Sequence, residues 1–164
     1  MAVVDHDALH RAWHERDVVR LVSLMAPDVT LHSPMLDTPF TGRDAAAVLY
    51  SVLFSTFSRL EFVDDFVPAS ERFFRWQGEM RGTTIEGADL VRYGVEGTIV
   101  EIRVFIRPLT GIAAFASATG PRLAAQRGRT RSVVAAVTAR PLGPLFRLVD
   151  RIAPRLLPMG SPGD

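Results

Sequence analysis

"VTLHSPMLDTPFTGRDAAAVLY", residues 29–50, opens as a short β-prone run, bends at Ser33-Pro34 and passes through Thr41-Gly42-Arg43-Asp44 into an apolar segment. Val29 to Ser33 has strand composition, and a residue before proline is pushed away from helical backbone. Thr41 followed by Asp44 has the form of a capping box with an acid in place of the usual Glu. From Ala45 to Phe57 apolar residues surround most of the helical circumference, so the pattern predicts a helix buried on several sides.

On the N-terminal side, Leu9, Ala12 and Trp13 and then Val18, Leu21, Val22 and Met25 fall at helical spacing. They predict a helix or bent helix pair, with Asp17 as a second N-cap and Pro27 as the stop. On the C-terminal side, Leu60 to Val67, Ser70 to Arg81, Thr83 to Tyr93 and Thr98 to Arg107 are β-rich runs separated by Pro68, Gly82 and the Gly94 to Gly97 turn. Phe74, Trp76 and Met80 alternate with Arg75, Gln77 and Glu79. Ile102, Val104 and Ile106 alternate with Glu101, Arg103 and Arg107. Each strand thus has one apolar and one polar face. Helix, short strand, helix and an antiparallel meander make an α+β class.

The 164 residues, 48% of them hydrophobic, suit one compact domain with an appendage. With no cysteine there are neither disulfides nor thiolate metal sites. The stretch MAVVDHDALHR lacks the apolar region of a signal peptide, so a cytoplasmic location is expected. The net charge of +1 hides a division: residues 1–119 hold 11 Arg against 16 Asp and Glu, and residues 120–164 hold 8 Arg against 2 Asp. The boundary expected from this shift is an acidic domain over 1–119 and a basic extension over 120–164. All 19 basic residues are Arg.

Within the extension, residues 109–126 read as a helix into Gly120-Pro121, and RGRTR at 127–131 is a basic connector. Leu145, Leu148, Val149, Ile152 and Leu156 fall on one helical face opposite Arg147, Asp150, Arg151 and Arg155. Pro144 can start that helix, and Pro154 is expected to break or kink it. Its partner is open among its own domain or a second copy, an anionic membrane surface through residues 142–157, and nucleic acid. The last is least favoured, because no aromatic residues interleave with the Arg.

The segment from Trp13 to Leu24, the stretch VTLHSPMLDTPFTGRDA, the run EGADLVRYGVEGTIVEIRVFIRP at 86–108 and the order of elements together resemble the nuclear transport factor 2-like superfamily, in particular its SnoaL-like branch, over roughly residues 5–119. The resemblance implies a conical barrel in which N-terminal helices close a curved antiparallel sheet. It also implies a cavity inside the cone as the ligand site, and homodimers through the sheet. In ketosteroid isomerases of this fold the catalytic base position corresponds to Ser33 and the tyrosine position falls near Leu9, whereas the protonated-acid position corresponds to Asp89. In limonene epoxide hydrolases the carboxylate again matches Asp89, but the arginine position is Gly87 and the second acid falls at about Pro108. The acid that SnoaL-type cyclases use on the last strand is missing from Ile102 to Arg107. A serine hydroxyl takes no proton at neutral pH without an activating base, so steroid isomerisation by the Asp-base mechanism is not expected.

Asp89 is therefore the leading catalytic candidate. By period two it shares a strand face with Gly87 and Val91, the face that the resemblance turns into the cavity. A carboxyl among apolar neighbours is held toward its neutral form, the state of a proton donor; a structural Asp bonded to Arg or a hydroxyl is the alternative. Ser33 would help to orient substrate. Trp13, Trp76, Val91 and Val104 are expected pocket walls. His32 alternates with Ser33 and is expected to point away from the cavity. His6, His10 and His14 repeat every four residues as a solvated stripe, and Asp37 reads as a turn residue.

Two readings of function follow. In one, the protein is an enzyme carrying out acid/base chemistry without cofactor or metal, of the isomerase, cyclase or epoxide hydrolase class, on a small apolar molecule. In the other, the same pocket serves a non-catalytic carrier, sensor or accessory subunit, or the chain is a membrane-surface assembly protein held by its basic C-terminal helix.

Overall fold

The structure, a computed structural model, describes residues 6–67, 71–125 and 142–156. In chain order the elements are α1 (His6–His14), α2 (Val18–Ser23), β1 (Met25–His32), β2 (Phe40–Thr41), α3 (Arg43–Thr56), β3 (Arg59–Phe66), β4 (Glu71–Met80), β5 (Thr83–Tyr93), β6 (Ile99–Arg107), α4 (Leu109–Ala125) and α5 (Leu142–Leu156). The RGRTR connector lies outside the described residues.

The six strands form one sheet in the order β2-β1-β6-β5-β4-β3. β3 to β6 are an antiparallel meander, as the alternating runs predict, while β1 joins the far side of β6 in parallel. The end strands β2 and β3 do not pair, so the curved sheet is open rather than a closed barrel. α1, α2, α3 and α4 cover its concave face.

Pro27 does not stop a helix. α2 ends at Ser23 and β1 has already begun at Met25, with Pro27 inside a register shift between Met25 and Thr30. A proline lacks the N–H that a regular ladder needs, and the irregularity relieves it of that role. Asp17 caps α2 as expected, accepting the Arg20 N–H at 2.9 Å. The capping box at Thr41 does not form. Thr41 ends β2, and Gly42 is the N-cap of α3 with φ +88°, a left-handed value that favours glycine, and no side-chain cap. The Arg43 side chain instead turns back and donates through Nε to the Met25 carbonyl at 2.8 Å, tying the start of α3 to β1.

The other end of α3 is held by Arg16, in the turn between α1 and α2. Its guanidinium donates to the carbonyls of Phe54 and Phe57 at 3.0 and 2.8 Å, two of the C-terminal acceptors that a helix leaves unpaired. Between these ties, α3 buries Ala46, Tyr50, Val52 and Phe54. Trp13 of α1 meets Tyr50, Phe54, Phe62 and Phe74 edge-on at centroid distances of 5.9, 5.5, 5.8 and 5.6 Å. Such pairs add about 0.5–1.5 kcal/mol each beyond the area they bury.

α4 runs through Gly120 and Pro121 to Ala125, crossing residue 119 without a break, and Arg122 donates to the Thr56 hydroxyl of α3. α5 packs beside α4 and continues to Leu156 with Pro154 in its last turn, so that proline does not end the helix.

Candidate functional site

Asp89 lies in mid-strand on β5, between Phe74 of β4 and Val104 of β6, and is 1% exposed. Two residues before it, Gly87 pairs with Trp76, and the indole occupies the space beside that bare backbone where a side chain would stand. Crossing the strand in this way brings Trp76 Nε1 within 2.8 Å of Asp89 Oδ1, to which it donates a hydrogen bond. Burial pushes the Asp89 carboxyl up from 3.8 to about 7, against a smaller downward pull from the Trp76 bond.

The carboxyl faces a cavity whose free volume is about 30 Å³, room for a water or two. Its walls are mostly apolar and include Trp13, Leu53, Phe54, Phe57, Trp76, Val104 and Phe115. Tyr50 of α3 also lines it; burial, then the nearby Asp89 charge, holds the phenol well above its ordinary range, so it stays protonated. Trp13 Nε1 is buried with no hydrogen-bond partner. An unmatched buried donor is uncommon in a native core, and here it belongs to a wall of the cavity that holds Asp89. At the mouth Ser33 Oγ accepts the Met35 N–H at 3.2 Å, which leaves its own proton free to be donated. His32, Ser33, Pro34 and Val104 also border an outer groove of about 340 Å³.

Of the residues singled out from sequence, Asp89, Ser33, Trp13, Trp76 and Val104 thus line one cavity. Val91 does not. It shares the inward face of β5 but is 1% exposed within the core and paired with Arg72 and Ile102, one residue pair too far along the strand to reach the cavity. His32 borders the mouth, but its Nε2 is 3.1 Å from Glu101 Oε1, within a cluster that includes Arg92 and Arg103. Asp37 is exposed in the loop before β2. His10 and His14 stack at 6.3 Å on the face of α1, and His10 leans on Phe62 at 4.7 Å.

Tyr50 was not singled out, since on a helix with apolar residues nearly all round it reads as core. Its signal was the single phenol on that segment, four residues before Phe54.

A family model for the SnoaL-like domain matches residues 6–102, more than half of the chain. The chain belongs to the SnoaL-like family. Among solved structures, this SnoaL-like chain is similar to a steroid delta-isomerase from Pseudomonas aeruginosa, with 22% identity and a TM-score of 0.68 over 77% of this chain and 98% of that one. It is also similar to a protein with a cystatin-like fold from Silicibacter pomeroyi, with 22% identity and a TM-score of 0.67 over 73% and 86% of the two chains. The epoxide hydrolase/cyclase-like enzyme SalBIII, of pyran ring formation in salinomycin, shares 19% identity and a TM-score of 0.51 over 59% and 83%. At these identities the likeness is one of fold. No curated protein matches the SnoaL-like chain in sequence.

Proposed function

We propose that the protein binds a small, largely apolar molecule bearing an oxygen function and acts on it by acid/base chemistry centred on Asp89, without a cofactor. The observation that carries this reading is the Asp89 carboxyl itself. It is fully buried against a mostly apolar cavity, with Trp76 Nε1 on one oxygen and a pKa of about 7. Such a group is populated in both protonation states at neutral pH and serves as donor or acceptor.

The neighbours suit that role. Tyr50 stays neutral and offers a hydroxyl, Trp13 offers an unmatched N–H, and Ser33 keeps a donor at the mouth. Asp89 is the one carboxyl lining the cavity among the described residues. A single proton carrier suits an isomerisation, in which a proton removed from one position returns to another on the same molecule. Hydrolytic epoxide opening usually divides the work between two groups, and is the less favoured class here. The steroid isomerase and the cyclase-like enzyme among the structural neighbours are consistent with chemistry of this kind on the fold, and lend it no more than that.

A non-catalytic binding role is favoured by one observation: the groups that would work with Asp89 in the catalytic sets of this fold are replaced by Ser33, Gly87 and Pro108. The two readings separate on Asp89→Asn, assayed for binding and turnover against a panel of small enones and epoxides. Turnover by the parent protein that disappears in the variant while affinity is kept supports catalysis. Binding by both proteins and turnover by neither supports a carrier, and equal turnover by both removes Asp89 from the chemistry.

A further inference from the structure

α5 packs beside α4, yet its most apolar residues do not face the domain. Leu145, Leu148, Val149 and Ile152 are 53%, 53%, 46% and 38% exposed, whereas Phe146, on a neighbouring side of the helix, is half-buried. At about 100° per residue those four side chains fall within one stripe roughly 100° wide. Arg151 is exposed beside that stripe, about 60° beyond Leu148 on the helix, whereas Arg147 is exposed on the far side, and Arg155 follows them in sequence. Of the partners left open for this face, its own domain is reached by another side of the helix.

We infer that α5 is a membrane-surface contact, with its aliphatic stripe in the interfacial region of an anionic bilayer and its Arg side chains at the lipid headgroups. Three occupants would answer to such a face, and charge separates them. An antiparallel second copy of α5 packed stripe to stripe would set its Arg151 flank against the same flank, on a helix that carries three Arg against one Asp. Nucleic acid would satisfy the Arg but leave the four aliphatic side chains in water. An anionic lipid surface takes both the aliphatic stripe and the positive flank. The contact is peripheral, since among the described residues no helix is long and apolar enough to cross a membrane. This inference is independent of the acid/base reading of the cavity.

The test is co-sedimentation of the full chain with vesicles of phosphatidylcholine, with and without phosphatidylglycerol. The expected result is binding at least about tenfold stronger with phosphatidylglycerol, as a few Arg near an anionic surface supply. The double variant Leu148→Asp/Ile152→Asp should abolish it, and Arg147→Glu/Arg151→Glu should reduce it toward the phosphatidylcholine level. Both pairs are exposed, so an unchanged far-ultraviolet circular dichroism spectrum is expected and shows that the fold is intact. Absence of vesicle binding overturns the inference, as does binding that both double variants retain. A fall in solution mass caused by Leu148→Asp/Ile152→Asp, without vesicle binding by the parent, would assign the face to a second copy instead.

Discussion

The Trp76 indole occupies the space that a side chain at Gly87 would fill: a Cβ built there would lie 2.0 Å from Trp76 Cζ2. Gly87 therefore lets the ring cross β5 and reach Asp89. Gly87→Ala must displace the indole and with it the 2.8 Å bond to Oδ1. Because that bond lowers the Asp89 pKa, its loss should raise the pKa further above about 7. NMR titration of the Asp89 carboxyl in the parent and variant proteins reads the shift, and an unmoved or lowered value would refute the account.

Asp89 also makes stability depend on pH. Its folded pKa of about 7 lies above the ordinary 3.8, so between these values the folded protein holds a proton that the unfolded chain has released. The contribution is complete below pH 3.8 and is lost as the pH rises to about 7. A shift of this size corresponds to on the order of 4 kcal/mol. Asp89→Asn should flatten that part of the profile in urea denaturation measured across the same range. A variant with the parent's slope would mean that another group carries the dependence.

Tyr50→Phe removes a hydroxyl from the cavity and leaves the ring that packs edge-on against Trp13. Stability should change by less than about 1 kcal/mol, while affinity for an oxygen-bearing ligand falls by about two- to tenfold, the worth of one neutral hydrogen bond. Affinity for a hydrocarbon of the same shape should not change. Calorimetric titration with such a matched pair checks both.

Arg16 links the turn after α1 to the last carbonyls of α3. Arg16→Ala leaves those partly buried acceptors unmet and should cost about 2 kcal/mol, seen as a lower midpoint in thermal denaturation.

Much of the fold was legible because it rests on periodicity. Phe74, Trp76 and Met80 alternate in sequence and are all buried on one face of β4. The errors arose where geometry outside the local pattern decided. Pro27 looked like a stop, but a register shift admits it into a strand. Thr41 looked like a cap, but Gly42 takes that position because the chain turns there with positive φ. In the site, Asp89 could be located by strand phase together with the family resemblance that turns its face of the strand inward. Its bond to Trp76 could not, because it depends on which residue of β4 lies opposite Gly87. Val91 shared the phase of Asp89 but not its place along the strand, and period two carries no information about that distance. The stripe on α5 was visible as a pattern, whereas the direction it faces depends on how the helix meets α4.

The tight ring packing around Trp13 has a kinetic consequence. A cavity of about 30 Å³ is closed to any molecule of substrate size in its resting form. Under the proposed function, association of a ligand would wait for aromatic side chains that form part of the core to change rotamer together. The observed dissociation constant is then the intrinsic one divided by the fraction of molecules open at any instant. Binding should saturate in rate as ligand concentration rises, at the speed with which the core breathes and not at the speed of diffusion.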